Sequence, residues 1–344
     1  MSSLTPVTIT YYPNPGQVHN GPGFIVWNLL RPLFGLRPLV GHSTPLQVTD
    51  PDTPSAWVTD TTYALGAMVI DSNNNIQVAV AVAGTGTSGT APTWPTAVGA
   101  ETIDNPGAHQ ITWQNAGPSW VWAGSTAVLY DQQIRDSNGN IHQCIYPGTT
   151  GSEAPTWNTA YAGITNDGTA IWMCLGPTLT VGGTEGAVNF KIAPKMEPIQ
   201  YDQYTAPATY ITTAEDVEID GTLLELSVAT ISRILPDTAY STGMDPNFPS
   251  GAQSFQQITV GGQTRVPRPC VGLFSYRRDF GDAQDPTDNP FKWFGGVVYA
   301  AGPSSDGTFG FSLKKQTAYK LSAKGTAVGW RPVGDQIGHF WEQI

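Results

Sequence analysis

The sequence has few charged residues and very few basic ones. Charged residues make up 12% of the 344 residues, and 16 residues are lysine or arginine. Proteins that bind nucleic acid by neutralising its phosphates need clustered basic residues. The formal net charge of −11 at pH 7 therefore argues against that kind of DNA binding.

Cysteine is also scarce, and long apolar runs are missing. The three cysteines, Cys144, Cys174 and Cys270, are an odd number at unrelated spacings, which argues against a disulfide framework. We expect buried free thiols in a protein made in a reducing cytoplasm. The first residues lack the basic start and apolar segment of a signal peptide. No apolar run is long enough to predict a membrane span.

Signatures of common active sites do not occur. The five histidines are scattered, and there is no HExxH, CxxC, GxSxG or phosphate-loop pattern. The turns that begin at Asp71 and Asp136 are rich in Asp and Asn, but they lack the glutamate at the twelfth position of a calcium loop. The sequence thus predicts no enzyme activity, no metal ion and no cofactor.

Glycine and proline, in contrast, are abundant. With 38 glycines, 28 prolines and 40% hydrophobic residues, the composition is typical of many short strands that are joined by turns around a core. The length is enough for about two domains. We therefore expect a mainly β protein.

Residues 55–177 contain an internal duplication. The recurring features are a tryptophan, an Asp-Ser-Asn turn, a glycine, a Pro-Thr-Trp turn and a last tryptophan. They are Trp57, Asp71–Ile76, Gly84, Pro92–Trp94 and Trp113 in the first copy, and Trp122, Asp136–Ile141, Gly148, Pro155–Trp157 and Trp172 in the second. The Asn- and Gly-rich turns indicate hairpins. Each copy is predicted to be a small three- or four-stranded β-meander module.

The two Pro-Thr-Trp turns suggest a possible ligand. The modules resemble repeats of phage tail and fibre proteins and, more distantly, the small tryptophan-rich carbohydrate-binding modules of chitinases. This resemblance implies that Trp94 and Trp157 are stacking platforms for host-surface glycans. The alternative is that both tryptophans fill the core of a small module, and it stays open here.

Residues 178–235 predict strands that are followed by one helix. Alternating apolar residues favour strands at Ala187–Ile192, Ala208–Ile211 and Asp216–Ile219. Asp220 is the predicted N-cap of the helix. The apolar stripe of the helix would consist of Leu224, Val228, Ile231 and Leu235, before Pro236 ends it.

Short motifs in this stretch carry a resemblance to a known family. Gly183–Val188, Tyr201–Gln203 and Leu224–Leu226, with a looser match at residues 310–329, resemble the major tail tube proteins of long-tailed bacteriophages. The resemblance implies a tail-tube β-sandwich or barrel with one packed α-helix. It further implies stacked hexameric rings of identical subunits in the virion tail, contacts with other phage tail proteins, and DNA passing through the lumen without specific binding. An acidic wall would suit that passage, because it repels phosphates.

Turn-rich boundaries divide the chain. Residues 51–55 and 176–177 flank the duplication, and strand-like sequence resumes after it as if an earlier fold had been paused. We predict a tail tube domain that is made of residues 1–53 and 178–344. Residues 54–120 and 121–177 would be two inserted tryptophan-rich modules, since surface loops tolerate insertions.

Candidate subunit contacts lie at two places. One is an apolar, proline-kinked arm, which is equally suited to the chain's own core. The candidate residues are Leu33 and Phe34 in this arm, residues 28–40, and Phe24 and Trp27 in the predicted strand just before it. The other place is the turn of a predicted hairpin, at Lys314 and Lys315, where one subunit could complete the sheet of the next.

Two other functions stay open at this stage. If the tryptophan modules are primary, the chain is a receptor-binding tail fibre or adhesin that holds host glycans. A neck or tail-completion protein could share the same core fold and form a single ring. The state of assembly discriminates among the three.

Overall fold

The computed structural model describes residues 23–36, 39–40, 48–49, 53–181, 184–199, 209–223, 227–235, 238–245, 253–261, 267–278, 291–303 and 319–342. Within them the protein is mainly β with one helix, as the composition predicted. Before the duplicated region lie β1 (Gly23–Leu29), β2 (Leu39–Val40) and β3 (Val48–Thr49).

The duplicated region contains eleven strands. In the first copy they are β4 (Ser55–Ala56), β5 (Met68–Ile70), β6 (Asn75–Val82), β7 (Glu101–Asp104) and β8 (Ile111–Pro118). In the second copy they are β9 (Ala127–Val128), β10 (Gln133–Arg135), β11 (Ile141–Tyr146), β12 (Gly148–Thr149), β13 (Ile164–Asp167) and β14 (Ala170–Gly176).

The rest of the described chain forms strands and the helix. These elements are β15 (Leu179–Thr180), β16 (Thr184–Ile199), β17 (Thr209–Leu223), α1 (Val228–Ile234), β18 (Thr238–Asp245), β19 (Gln253–Val260), β20 (Cys270–Arg278), β21 (Phe291–Val298), β22 (Ala301–Pro303), β23 (Tyr319–Gly325) and β24 (Gly338–Glu342). We call the part outside the duplication the body.

The centre of the body is a five-stranded antiparallel sheet in the order β15-β1-β20-β21-β24. Successive side chains of a strand point to opposite faces. Ile25 and Trp27 of β1 accordingly lie in one buried cluster, and Phe24 and Val26 lie in another on the opposite face. A strand that precedes the duplication is thus paired with strands that follow it. The domain boundaries themselves stay a prediction.

A second, four-stranded sheet has the order β16-β17-β23-β22. At its base Val217, Ile219 and Leu223 of β17 alternate as buried residues and pack on the central sheet together with Leu321 and Ala323. This alternation continues through residue 220. The predicted strand at 216–219 is therefore only part of β17.

The helix begins later than the sequence predicted. Asp220 lies in β17, where its Oδ1 accepts a hydrogen bond from Asn189 Nδ2 at 2.8 Å, so it caps nothing. The true N-cap is Ser227, whose hydroxyl accepts from the amide of Thr230 at 3.0 Å. The predicted end is confirmed, because the helix stops at Ile234, just before Pro236.

The two copies fold alike, but neither is a simple meander. Their sheets run β5-β6-β8-β7 and β10-β11-β14-β13, so the last strand of each copy lies between the second and the third. The first sheet has β4 as an additional edge strand. Two hairpins per copy are therefore joined through their inner strands, and both copies repeat this arrangement.

One aspartate organises the core of each copy. Asp104 Oδ2 accepts from the indole N–H groups of Trp57 at 2.9 Å and Trp113 at 3.2 Å. Asp167 Oδ2 does the same for Trp122 at 2.8 Å and Trp172 at 3.1 Å. The duplication inferred from sequence thus extends to the hydrogen bonds of the core.

The apolar arm at residues 28–36 packs between the two copies. Leu30 and Leu33 are buried in a cluster to which each copy contributes equivalent residues. These are Ile76 and Ala116 from the first copy and Ile141 and Leu175 from the second. The arm also donates one hydrogen bond to each copy, at equivalent carbonyl groups. Phe34 N donates to Ala116 O of the first copy, and Asn28 Nδ2 donates to Leu175 O of the second, both at 2.9 Å.

This arrangement corrects the subunit-contact assignment for three residues. Phe24, Trp27 and Leu33 are at most 5% exposed, within the chain's own core. They have no surface left for a neighbour. Phe34 is half-buried, and its ring lies against Gly99 of the first copy. Lys314 and Lys315 lie outside the described residues.

Candidate functional site

The hairpin of β16 and β17 has a long exposed part. The first seven residues of β17, 209–215, are all exposed, whereas the following residues alternate between buried and half-buried. At about 3.3 Å per residue, the exposed part extends about 23 Å beyond the base. We call this part, residues 192–199 with 209–215, the ribbon.

One face of the ribbon is apolar. Side chains that lie opposite each other across an antiparallel pair share a face. Pro198 lies opposite Tyr210, and Met196, two residues earlier, is on the same face. Ile192, Met196 and Tyr210 are each about 60% exposed. Large apolar side chains grouped in this way on a protruding element are typical of contact surfaces.

The other face of the ribbon carries charge at its base. Asp216 Oδ2 lies 3.1 Å from Lys195 Nζ, and Asp216 Oδ1 lies 3.1 Å from Lys324 Nζ. The hydrogen bonds from Lys324 and Lys195 lower the pKa of Asp216. These ion pairs are exposed, so each adds little to stability. They fix the base of the ribbon to β23.

A separate two-stranded sheet is formed by β18 and β19. All eight residues of each strand are paired with the other, and this pair belongs to no larger sheet among the described residues. Tyr240, Met244 and Phe255 are exposed on it. Isolated two-stranded ribbons are marginally stable in water. Contact with another surface would therefore stabilise both this sheet and the ribbon.

The proposed glycan platforms are placed differently in the two copies. Trp94 is 8% exposed and packs edge-on against Trp57 and Trp113, at ring distances of 6.1 and 6.2 Å. A sugar needs an open indole face, so the platform assignment is wrong for Trp94. Trp157 is half-buried and packs against His142 at 4.5 Å and against Trp172 at 6.1 Å.

The Asp-Ser-Asn turns use their carboxylates internally. Asp71 Oδ1 accepts from the amides of Asn73 and Asn75, at 2.8 and 2.9 Å. Its Oδ2 accepts from Gln77 Nε2 at 2.7 Å. Asp136 accepts from two amides of its own turn in the same way. These oxygens stabilise the hairpins. The described part of the chain contains no cluster of three or more His, Cys, Asp or Glu side chains that could hold a metal ion.

All three cysteines are free and buried, as predicted. Cys144 and Cys174 lie on the neighbouring strands β11 and β14 but are not partners, since Cys144 is opposite Trp172 and Cys174 is opposite His142. Burial raises the pKa of Cys144 and of Cys270 to about 12. Their thiols are therefore protonated and unreactive at neutral pH.

A polar seam, which no sequence pattern indicates, joins the second copy to the body. Arg31 is buried, and it donates from Nε to Tyr299 O at 2.7 Å and from Nη1 to Asp131 O at 2.5 Å. The carboxylate of Asp131 is held by Arg268. Burial lowers the pKa of Arg31 to about 10, so it stays charged at neutral pH.

No helix in the described ranges has the length and apolar character needed to cross a bilayer. The chain matches no protein family model and no curated protein.

Proposed function

We propose that the chain is a structural subunit of the tail tube of a long-tailed bacteriophage. Its copies would assemble into hexameric rings, and the rings would stack around a channel for DNA. The observation that carries this proposal is the ribbon, which exposes Ile192, Met196 and Tyr210 on one face. A two-stranded hairpin is only marginally stable in water by itself, and a neighbouring copy would cover this one.

Open sheet edges support the same conclusion. Among the described strands, β16 lies at an edge of its sheet and β24 lies at an edge of the central sheet. An exposed edge presents unpaired N–H and C=O groups that can bind another strand. Ring closure would satisfy these groups without adding any segment to the chain. The motifs at 183–188, 201–203 and 224–226 add the family resemblance to this argument.

The charge of the chain suits a channel for DNA. The net charge of −11 would make a ring of several copies strongly acidic. An acidic wall repels phosphates, so DNA would slide past without binding. The protein would act through its shape and electrostatic field. Its partners would be copies of itself and the other proteins of the tail.

Electron microscopy of the purified chain tests the proposal. We expect rings with six subunits and, at higher concentration, tubes of stacked rings. Light scattering after size-exclusion chromatography should give a mass that increases with concentration. Monomers at every concentration would contradict the proposal. Single rings that never stack would favour a neck or tail-completion protein instead.

A further inference from the structure

A small cavity lies in the seam between the arm, the two copies and the body. It is nearly closed and has a volume of about 10 Å³. A space of this size admits roughly one water-sized sphere. Its lining includes Arg31 and Leu33 of the arm, Trp120 at the junction of the copies, Gln133 of β10, and Trp330 after β23.

Four of the lining residues carry buried N–H groups that have no hydrogen-bond partner among the described residues. The nitrogen atoms are Arg31 Nη2, Trp120 Nε1, Gln133 Nε2 and Trp330 Nε1. Arg31, Trp120 and Gln133 are 3%, 3% and 6% exposed. Buried N–H groups are rarely left unpaired, because losing water without a replacement bond costs free energy. The four residues line one cavity, and an acceptor held in it would satisfy these donors.

The Gln133 amide is oriented by its other atom. Gln133 Oε1 accepts from the backbone amide of Arg31 at 2.9 Å. The amide oxygen is therefore engaged by Arg31, and the NH₂ group is the part without a partner among the described residues. An indole has only a donor, and a guanidinium has only donors. The four polar side-chain groups thus offer hydrogen atoms and no acceptor.

Within the described residues, Arg31 donates no hydrogen bond to a carboxylate. Its hydrogen bonds go to the neutral carbonyl groups of Tyr299 and Asp131. The carboxylate of Asp131 is engaged by both Arg268 and Gln143. A second buried cation, Arg331, donates to Asp335 Oδ2 and to Pro32 O. A buried charge needs a counter-charge nearby.

We propose that this cavity binds one small monovalent anion, such as chloride, in the place of a single water molecule. The anion would accept hydrogen bonds from Arg31, Trp120, Gln133 and Trp330 and would balance the charge of Arg31. A water molecule fits the size but suits the chemistry less well, since it accepts about two bonds and must donate its own hydrogens. The bound anion would hold together segments that are far apart in sequence, because the four donors come from the arm, both sides of the seam and the body.

Crystals soaked in bromide give the first test. We expect an anomalous peak in the cavity within hydrogen-bond distance of the four nitrogen atoms. In solution, the unfolding temperature should rise with chloride or bromide concentration when ionic strength is held constant with gluconate, an anion too large for the cavity. No anomalous peak together with equal unfolding temperatures in chloride and gluconate would overturn the proposal and assign the cavity to water.

A pair of variants separates the cavity from general salt effects. Trp330→Phe removes one N–H group and keeps an aromatic ring, so the halide concentration that gives half of the stabilisation should rise about tenfold. Trp341→Phe is the matched control, because Trp341 Nε1 is also buried without a partner but does not line this cavity. Its halide dependence should equal that of the wild type. The same halide dependence in Trp330→Phe as in the wild type would overturn the proposal.

Discussion

Arg268 and Asp131 form an ion pair in which one guanidinium nitrogen, Nη2, lies 2.5 Å from Oδ1 and 2.6 Å from Oδ2 of Asp131. Asp131 belongs to the second copy and Arg268 to the body just before β20, so this contact crosses the seam. The equivalent position in the first copy is Gly66, and both residues have positive φ angles, 66° and 82°. The second copy is thus anchored by a side chain that the first copy lacks.

Replacing Arg268 by Ala should destabilise the protein by about 3 kcal/mol, because the carboxylate of Asp131 would stay buried without its cation. Urea denaturation measures the change. The control is the double variant Arg268→Ala with Asp131→Gly, which removes both charges and gives the positive φ angle a glycine. The double variant should recover part of the loss. Equal stability of the two variants would show that burial of an unpaired charge is not the cause.

Trp94→Ala should act on stability and leave sugar binding unaffected. Removing a buried tryptophan typically costs about 3–5 kcal/mol. Trp94→Phe keeps an aromatic ring in contact with Trp57 and Trp113 and should cost less. Thermal unfolding and a glycan array measure the two properties. Specific glycan binding by the wild type that is lost in the still-folded Trp94→Phe would restore the platform assignment.

The second copy should lose stability in acid because of His142. This residue is fully buried, and its Nε2 lies 3.1 Å from Asp136 Oδ2. Burial lowers the pKa of His142 below the usual 6.5, although Asp136 acts in the opposite direction. The folded state therefore binds a proton less readily than the unfolded state. The stability that neutral His142 contributes is fully present above about pH 6.5, the pKa in the unfolded state. This contribution is lost as the pH falls from there toward the lowered pKa of the folded state.

Hydrogen exchange resolved to single strands measures this effect. Protection of β11 should fall between pH 7 and pH 5, after correction for the intrinsic exchange rate. Protection of β6 should change less, because Gln77 occupies the equivalent place and donates to Asp71 without titrating. His142→Gln copies that arrangement and should flatten the pH dependence of β11. Parallel pH dependences of β11 in the variant and the wild type would rule out His142 as the titrating group.

The apolar face of the ribbon should control assembly. Met196→Glu places a charge on that face at a site that is exposed in the single chain, so folding should be unaffected and ring formation should be abolished or greatly weakened. Sedimentation velocity measures assembly, and circular dichroism checks the fold. Val333→Glu is the matched control, because Val333 is 94% exposed and belongs to the segment between β23 and β24 and not to the ribbon. If Met196→Glu forms rings at the same protein concentrations as the wild type, this face is not part of the contact between subunits.

The hairpins of the two repeats were predictable from the residues of their own turns. The turns at Asp71 and Asp136 were identified because Asp, Asn and Gly have strong turn preferences, and the structure has hairpins at both places. The order of the strands in each sheet was missed. Pairing of β6 with β8 joins residues that are far apart in sequence, and alternation alone does not encode which strand lies beside which.

The helix start was wrong because two periodicities overlap in the sequence. Leu224, Val228, Ile231 and Leu235 have helical spacing, but Val217, Ile219 and Leu223 alternate through Asp220 as one strand. The cross-strand bond from Asn189 to Asp220 decides in favour of the strand. A side chain that is 31 residues away is invisible to a local pattern.

The arm and the seam show the same limit. Leu30 and Leu33 were recognised as apolar, but their partners, Ile76 and Ile141, lie one in each copy. The burial of Arg31 was not predicted, because an isolated arginine is normally exposed. Its burial depends on carbonyl groups of Asp131 and Tyr299 that come together only in the folded chain.

The arm at residues 28–36 also dictates an order of events during synthesis. It leaves the ribosome before either copy of the duplication, yet its binding pocket consists of both copies. The adjacent strand β1 can pair with β20 only after β20 has been translated, which is later still. A nascent chain must therefore hold the apolar residues of β1 without their partner strand until most of the polypeptide has been made.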